Sequence, residues 1–294
     1  MIATSDPQLT WNVGRDIGQL FEFPFMVNAF RAGTIVAITA GVIGWFMVLR
    51  RQTFAGHTLA VVGFPGAAAA AYLGVSAHLG YYAFCIAAAL VIAALPRSGQ
   101  QQFSEESAAI GTVQAFALAC GFLFVSLYRG NLNGINTLLF GSFLGITTDQ
   151  VRLLAVFSGA ALAVLGLIAR PLLFASVDSD VAAARGVPVR SMSSAFLVLL
   201  GVGAAASSQI TGTLLVFALL VLPAATAQRV TVRPARSVTL SVAIAVAVTW
   251  LGLFLAYYSS YPIGFYITSI AFGAYLLANA TQATAGRLAA VPRP

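Results

Sequence analysis

Apolar residues fill most of the chain in long blocks, with arginine, proline, glycine and serine gathered in the gaps between them. Nine blocks predict helices that cross a bilayer: residues 26–49, 57–73, 79–95, 107–127, 151–169, 192–207, 212–227, 238–257 and 264–279. Each is close to the roughly 20 residues that a helix needs to traverse a hydrocarbon core about 30 Å thick. The block 135–146 is too short for that and is expected to be re-entrant or to lie at the interface. The expected fold class is an all-α integral membrane protein of eight to nine spans, with this short piece and one further short helix between spans. The chain divides into an N-terminal extracytoplasmic or interfacial segment (1–25), a transmembrane domain (26–280) and a cytoplasmic tail (281–294).

The gaps carry the local signals. Arg50 and Arg51 close the first block, Pro96 and Arg97 follow the third, and Arg170–Pro171 is predicted to stop the fifth. From Leu172 to Arg190 runs the longest polar interruption after the N-terminus, holding Asp178, Asp180 and Arg185. It predicts a short helix ended by Gly186, Val187 and Pro188, because glycine and proline terminate helices. A polar group of Ser208, Gln209, Ile210 and Thr211 separates the sixth and seventh blocks.

Composition narrows the class. The 294 residues are 60% hydrophobic and 8% charged, against roughly 25% charged in soluble domains. Soluble enzymes, disordered chains and disulfide scaffolds are thereby excluded. All 15 basic residues are arginine. With the N-terminus outside, eleven of them fall on inner loops and three (Arg15, Arg129, Arg152) outside, while Arg31 lies within the first block. The positive-inside rule therefore expects an extracytoplasmic N-terminus and a cytoplasmic C-terminus. The net charge of +7 reports that orientation and not nucleic-acid binding. Without lysine there is no phosphate-binding G-x-x-x-x-G-K-[ST] loop, so any ATP hydrolysis belongs to another chain. Cys85 and Cys120 sit in apolar blocks and are expected to be buried free thiols, and residues 1–25 show no apolar core of a cleavable signal.

Ionisable groups inside a membrane are functional candidates, and here they are few. No Asp or Glu falls inside a predicted span, which leaves Arg31, His57 and His78. Snorkelling to the headgroups is the plain alternative for Arg31, an interfacial backbone-bonded imidazole for His57, and a solvated loop for His78. As a neutral imidazole His57 could ligate zinc or a similar metal, yet two histidines and two scattered cysteines make no closed metal site. Pro65 and Pro223 are expected to break their helices and free carbonyls that need a protein partner or a watery cavity. Together with Gln209 they are candidate pathway residues, with kinked-helix packing as the alternative.

Several motifs, in order along the chain, resemble those of the zinc/manganese-type ABC importer permeases. They are Val48, Leu49, Arg50 and Arg51 leading to Gly63, Phe64, Pro65 and Gly66; the run from Phe140 to Ile146; Asp178-x-Asp180-x-Ala182 with Gly186-x-Pro188; Gly212 through Val216 with Leu222, Pro223, Ala224, Ala225, Thr226 and Ala227; and Tyr257, Tyr258 with Pro262-x-Gly264. The resemblance spans residues 25–279. It implies a homodimeric subunit in the cell (inner) membrane, with a cytosolic ATP-binding-cassette ATPase below and an extracytoplasmic metal-binding protein above. It implies further that Asp178, Asp180, Arg185, Gly186 and Pro188 form the segment that couples to the ATPase. The cargo would be a divalent metal ion, zinc or manganese first and iron third. No cofactor would be bound permanently, and ATP would act only through the partner.

One departure qualifies the resemblance. The family's second helix commonly carries Asp and, four positions later, His; here His57 and Val61 occupy those places, and Ala60 replaces a usual Ser. His57 is then a single weak metal ligand in an otherwise neutral pathway between the second span and the helix ending near Pro223. The alternatives are the same architecture carrying a chelated metal or a non-metal solute, and a stand-alone small-molecule carrier. No intramembrane acid pair or nucleophile–base pair supports an enzyme.

Overall fold

The computed structural model describes residues 13–95, 102–128, 145–212, 216–259 and 261–289, and among these all regular secondary structure is helix. A short amphipathic helix α1 (Val13–Glu22) precedes α2 (Pro24–Leu49), α3 (Thr53–Tyr72), α4 (Ala77–Ala94) and α5 (Gln102–Leu127). After the undescribed stretch 129–144, which contains most of the predicted re-entrant piece, come α6 (Thr148–Val177) and the six-residue α7 (Ser179–Ala184). Next follow α8 (Val189–Thr211), α9 (Val216–Val230), α10 (Pro234–Tyr257) and α11 (Ile263–Ala289). Eight of these are long and apolar enough to span a membrane, and α9 is the shorter ninth. The expected class and span count are thus met among the described residues.

The arrangement is built on α2, which packs against α1, α6, α8, α9 and α10. Apolar burial cannot choose partners when the solvent is lipid, so close backbone approach and interhelical hydrogen bonds do. At Gly44 a Cβ would collide with the Leu220 carbonyl of α9, which only glycine avoids. The same stretch of α2 is tied to α10 by Trp45 Nε1 donating to Ser237 Oγ (2.8 Å) and Ser241 Oγ donating to the Gly41 carbonyl (2.8 Å). Gln228 Nε2 of α9 donates to the Trp45 carbonyl at 2.8 Å. A second unit forms around α3, whose buried Ala67, Ala68, Ala69 and Ala70 let α4 and α5 come close.

Several helix boundaries differ from expectation. Arg170–Pro171 does not stop the fifth span: α6 runs through it to Val177. A 30-residue helix is about 45 Å long, longer than a hydrocarbon core about 30 Å thick, and Arg170 is exposed on it. Likewise α3 begins at Thr53, so His57 lies a full turn inside its helix instead of opening it. The group from Ser208 to Thr211 does not separate two spans; it forms the last turn of α8, which ends where Gly212 turns to φ +76°.

Candidate functional site: a helix wall and a polar hook

Along α3, Phe54, His57, Val61 and Phe64 recur at helical spacing and share one face. That face stays partly open, while Ala55, Gly56, Thr58, Leu59, Ala60, Val62 and Gly63 between them are buried. The His57 ring meets Phe217, in the first turn of α9, edge to face with centroids 5.4 Å apart. Phe217 was not foreseen, because one aromatic residue in an apolar block gives no sign of which helix it will face. Among the described residues no group of three or more His, Cys, Asp or Glu is placed to hold a metal ion.

Pro65 and Pro223 lie deeper. Pro65 is buried, and a Cβ on Gly121 of α5 would meet its ring at 2.9 Å. The carbonyls in the turn before it are capped from α4: Tyr81 Oη donates to Ala60 at 2.5 Å and Cys85 Sγ to Leu59 at 3.2 Å. Thr58 Oγ1 donates to Gln114 Oε1 of α5 at 2.8 Å. Pro223 is likewise buried, in the middle of α9. Gln209 belongs to α8, but its side chain lies outside the described residues. Ser207 and Ser208 beside it are fully buried, and Ser208 Oγ donates back to the Ala205 carbonyl at 2.8 Å. His78, expected in a solvated loop, instead sits half-buried in the first turn of α4, with Nε2 2.6 Å from Gln150 Nε2 of α6. Arg31 is exposed on the rim of an apolar groove of about 770 Å³ between α1, α2 and α10, which also includes Phe30 and Trp250.

The polar interruption forms a compact hook. Asp178 ends α6 and caps α7: its Oδ1 accepts from the N–H groups of Asp180 (3.1 Å) and Val181 (3.0 Å). An N-cap carboxylate satisfies donors that have no partner in the first turn and favours the positive end of the helix dipole. At the other end Arg185 is the C-cap and Gly186 takes φ +82°. The Gly186 N–H bonds the Ala183 carbonyl (2.9 Å) and the Val187 N–H the Ala182 carbonyl (3.0 Å). This paired closure needs a left-handed residue, which glycine supplies without strain. Pro188 then stands at the N-cap of α8. Of α7 only Ala182 is buried; Ser179, Asp180 and Val181 face outward. The five predicted coupling residues are therefore brought together in one short, externally presented element.

The family described as the ABC 3 transport family matches residues 22–282. The manganese import system permease protein ScaB of Streptococcus parasanguinis is 28% identical over 248 residues, covering 84% of this chain and 87% of the relative. The manganese transport system membrane protein MntC of Halalkalibacterium halodurans is 29% identical over 215 residues, 73% of each chain. Among solved structures, PsaBC from Streptococcus pneumoniae in complex with Fab superposes with a TM-score of 0.80 at 27% identity, covering 90% of this chain and 95% of that one.

Proposed function

Since the chain belongs to the ABC 3 transport family, we propose that it is the membrane permease of an ATP-driven importer that conducts a divalent metal ion. Manganese is the first cargo, in keeping with the names of its relatives, and zinc the second. Two copies assemble face to face, so that the open side of α3 with His57 and Val61 and the start of α9 with Phe217 line a shared pathway. A cytosolic ATPase engages the hook around α7, and an extracytoplasmic binding protein delivers the ion to the opposite side. The N-terminus is outside and the C-terminus in the cytoplasm. The chain itself catalyses no reaction.

The observation that carries this proposal is the hook. A capped six-residue helix with five exposed residues adds little to the packing of the bundle, whereas a short rigid element suits docking in a partner's groove. The neutrality of the wall is consistent with the division of labour. An ion conduit must bind strongly enough to admit and weakly enough to release, so selection falls to the binding protein and His57 offers one exchangeable contact. A chelated metal is the second reading, favoured by Val61 standing where an ionic pathway would gain a second ligand.

The test is the ATPase activity of the assembled complex in lipid nanodiscs. Hydrolysis should rise when the binding protein is loaded with manganese or zinc, and not with the empty protein. Stimulation only by a metal chelate would replace the cargo, and failure of any ATPase to bind would overturn the proposal.

A further inference from the structure

Arg50 ends α2 as its C-cap: its backbone N–H bonds the Phe46 carbonyl, and the N–H of Arg51 bonds the Val48 carbonyl. Its guanidinium reaches three other elements. Nη1 donates to Ser176 Oγ, in the last turn of α6, at 2.9 Å, and Nη2 donates to Ser193 Oγ, in the first turns of α8, at 2.5 Å. Nε points to Gln52 Oε1 at 3.4 Å, and the group lies 5.5 Å from the centroid of the Phe196 ring. The chain leaves the bundle at Ser176, forms the capped hook, and returns at Ser193. Both roots of the hook are thus held in the fork of one side chain.

The same side chain reaches the helix that bears His57. Gln52 is the N-cap of α3, and Arg51 takes φ +57° in the tight link between α2 and α3. His57 follows five residues after Gln52 on a continuous helix. Guanidinium is planar and presents its donors in fixed directions, so two acceptors bound to it keep a fixed relation. A lysine ammonium, a rotating point charge, does not impose that relation. The acceptors here are neutral hydroxyls, which can be released and regained as helices shift. Ser176 Oγ itself donates to the Leu172 carbonyl at 2.5 Å, so its orientation is set by α6.

We propose that Arg50 is the positioning residue that couples the hook to the pathway. Movement of α7 is passed through Ser176 and Ser193 to the ends of α2 and α3, and so to the wall carrying His57. This rests on the proposal that the hook docks on the ATPase.

The experiment uses the complex of permease, ATPase and binding protein in proteoliposomes, with labelled manganese as the probe. Three quantities are read: ATPase affinity for the permease, basal ATP hydrolysis, and metal imported per ATP hydrolysed. Arg50→Gln should lower the import ratio by about fivefold or more, the usual lower bound of an allosteric coupling, with affinity and basal hydrolysis unchanged. The pair Ser176→Ala with Ser193→Ala should do the same, and adding Arg50→Gln to it should cause little further loss, because residues in one network are not additive. Arg50→Lys should remain impaired. The proposal is overturned if Arg50→Gln retains the native ratio, if Arg50→Lys restores it, or if the losses follow the amount of folded protein by gel filtration. If the ATPase fails to bind even the native chain, the docking proposal falls with it; if it binds normally and only the ratio stays native, this inference alone falls.

Discussion

Replacing Asp178 by alanine removes the acceptor that holds two N–H groups of α7, those of Asp180 and Val181. A six-residue helix is far below the roughly 12–15 residues that sustain an isolated helix in water, so its caps decide whether it forms. Loss of such an N-cap costs about 1 kcal/mol, which is about a fivefold shift in the folding equilibrium constant of the hook. If the ATPase recognises the helical form, its apparent affinity falls by up to about that factor. Asp178→Asn keeps the accepting oxygen and should bind within about twofold of native, since Asn ranks with Asp as a cap. The assay is titration of the ATPase onto immobilised nanodiscs bearing each variant, with thermal unfolding of the permease as a control. Asp178 is exposed, so the unfolding temperature should not move. Native affinity for the alanine variant would refute the capping argument. An asparagine variant as weak as the alanine one would show that the charge contacts the partner directly.

Further outcomes follow from the packing and the wall. Gly44→Ala places a Cβ against the Leu220 carbonyl, a backbone atom that cannot yield, and should cost about 1–3 kcal/mol or more. Gly159→Ala in α6 meets nothing within 4 Å and should be neutral or stabilising by up to about 1 kcal/mol; thermal melts in detergent compare the two. Tyr81→Phe leaves the Ala60 carbonyl without its hydroxyl partner and should destabilise by about 1–3 kcal/mol, seen in the same melts. His57→Ala should reduce metal uptake several-fold at subsaturating metal, with dimer assembly by gel filtration unchanged; native uptake would remove His57 from the pathway. Ser179→Cys should react with a membrane-impermeant thiol reagent only from the cytoplasmic side, and labelling from outside would invert the proposed orientation.

The spans were legible because lipid leaves long apolar blocks little choice of structure. The hook was legible too, since Asp178, Gly186 and Pro188 act through local backbone chemistry that needs no tertiary partner. The end of α6 was not. Arg170–Pro171 signals a stop in water, yet a helix long enough to leave the bilayer carries both without breaking. The polar turn around Ser208 was also misplaced, because buried serines satisfy themselves on their own helix, as Ser208 does on Ala205. His57 was found as the lone imidazole near the second span, but its contact with Phe217 depends on how α3 and α9 pack. Arg50 was legible as the close of the first block, a charge of the positive-inside count and part of a motif, but not as a bridge between helices. Its bridge to Ser176 and Ser193 joins residues more than a hundred positions apart.

The most direct test of the account is uphill uptake of labelled manganese and zinc into vesicles carrying this chain, with and without the ATPase and the binding protein. Accumulation should require all three proteins and ATP, and the chain by itself should leave the metal at equilibrium. Concentrative uptake by the chain alone would contradict the account.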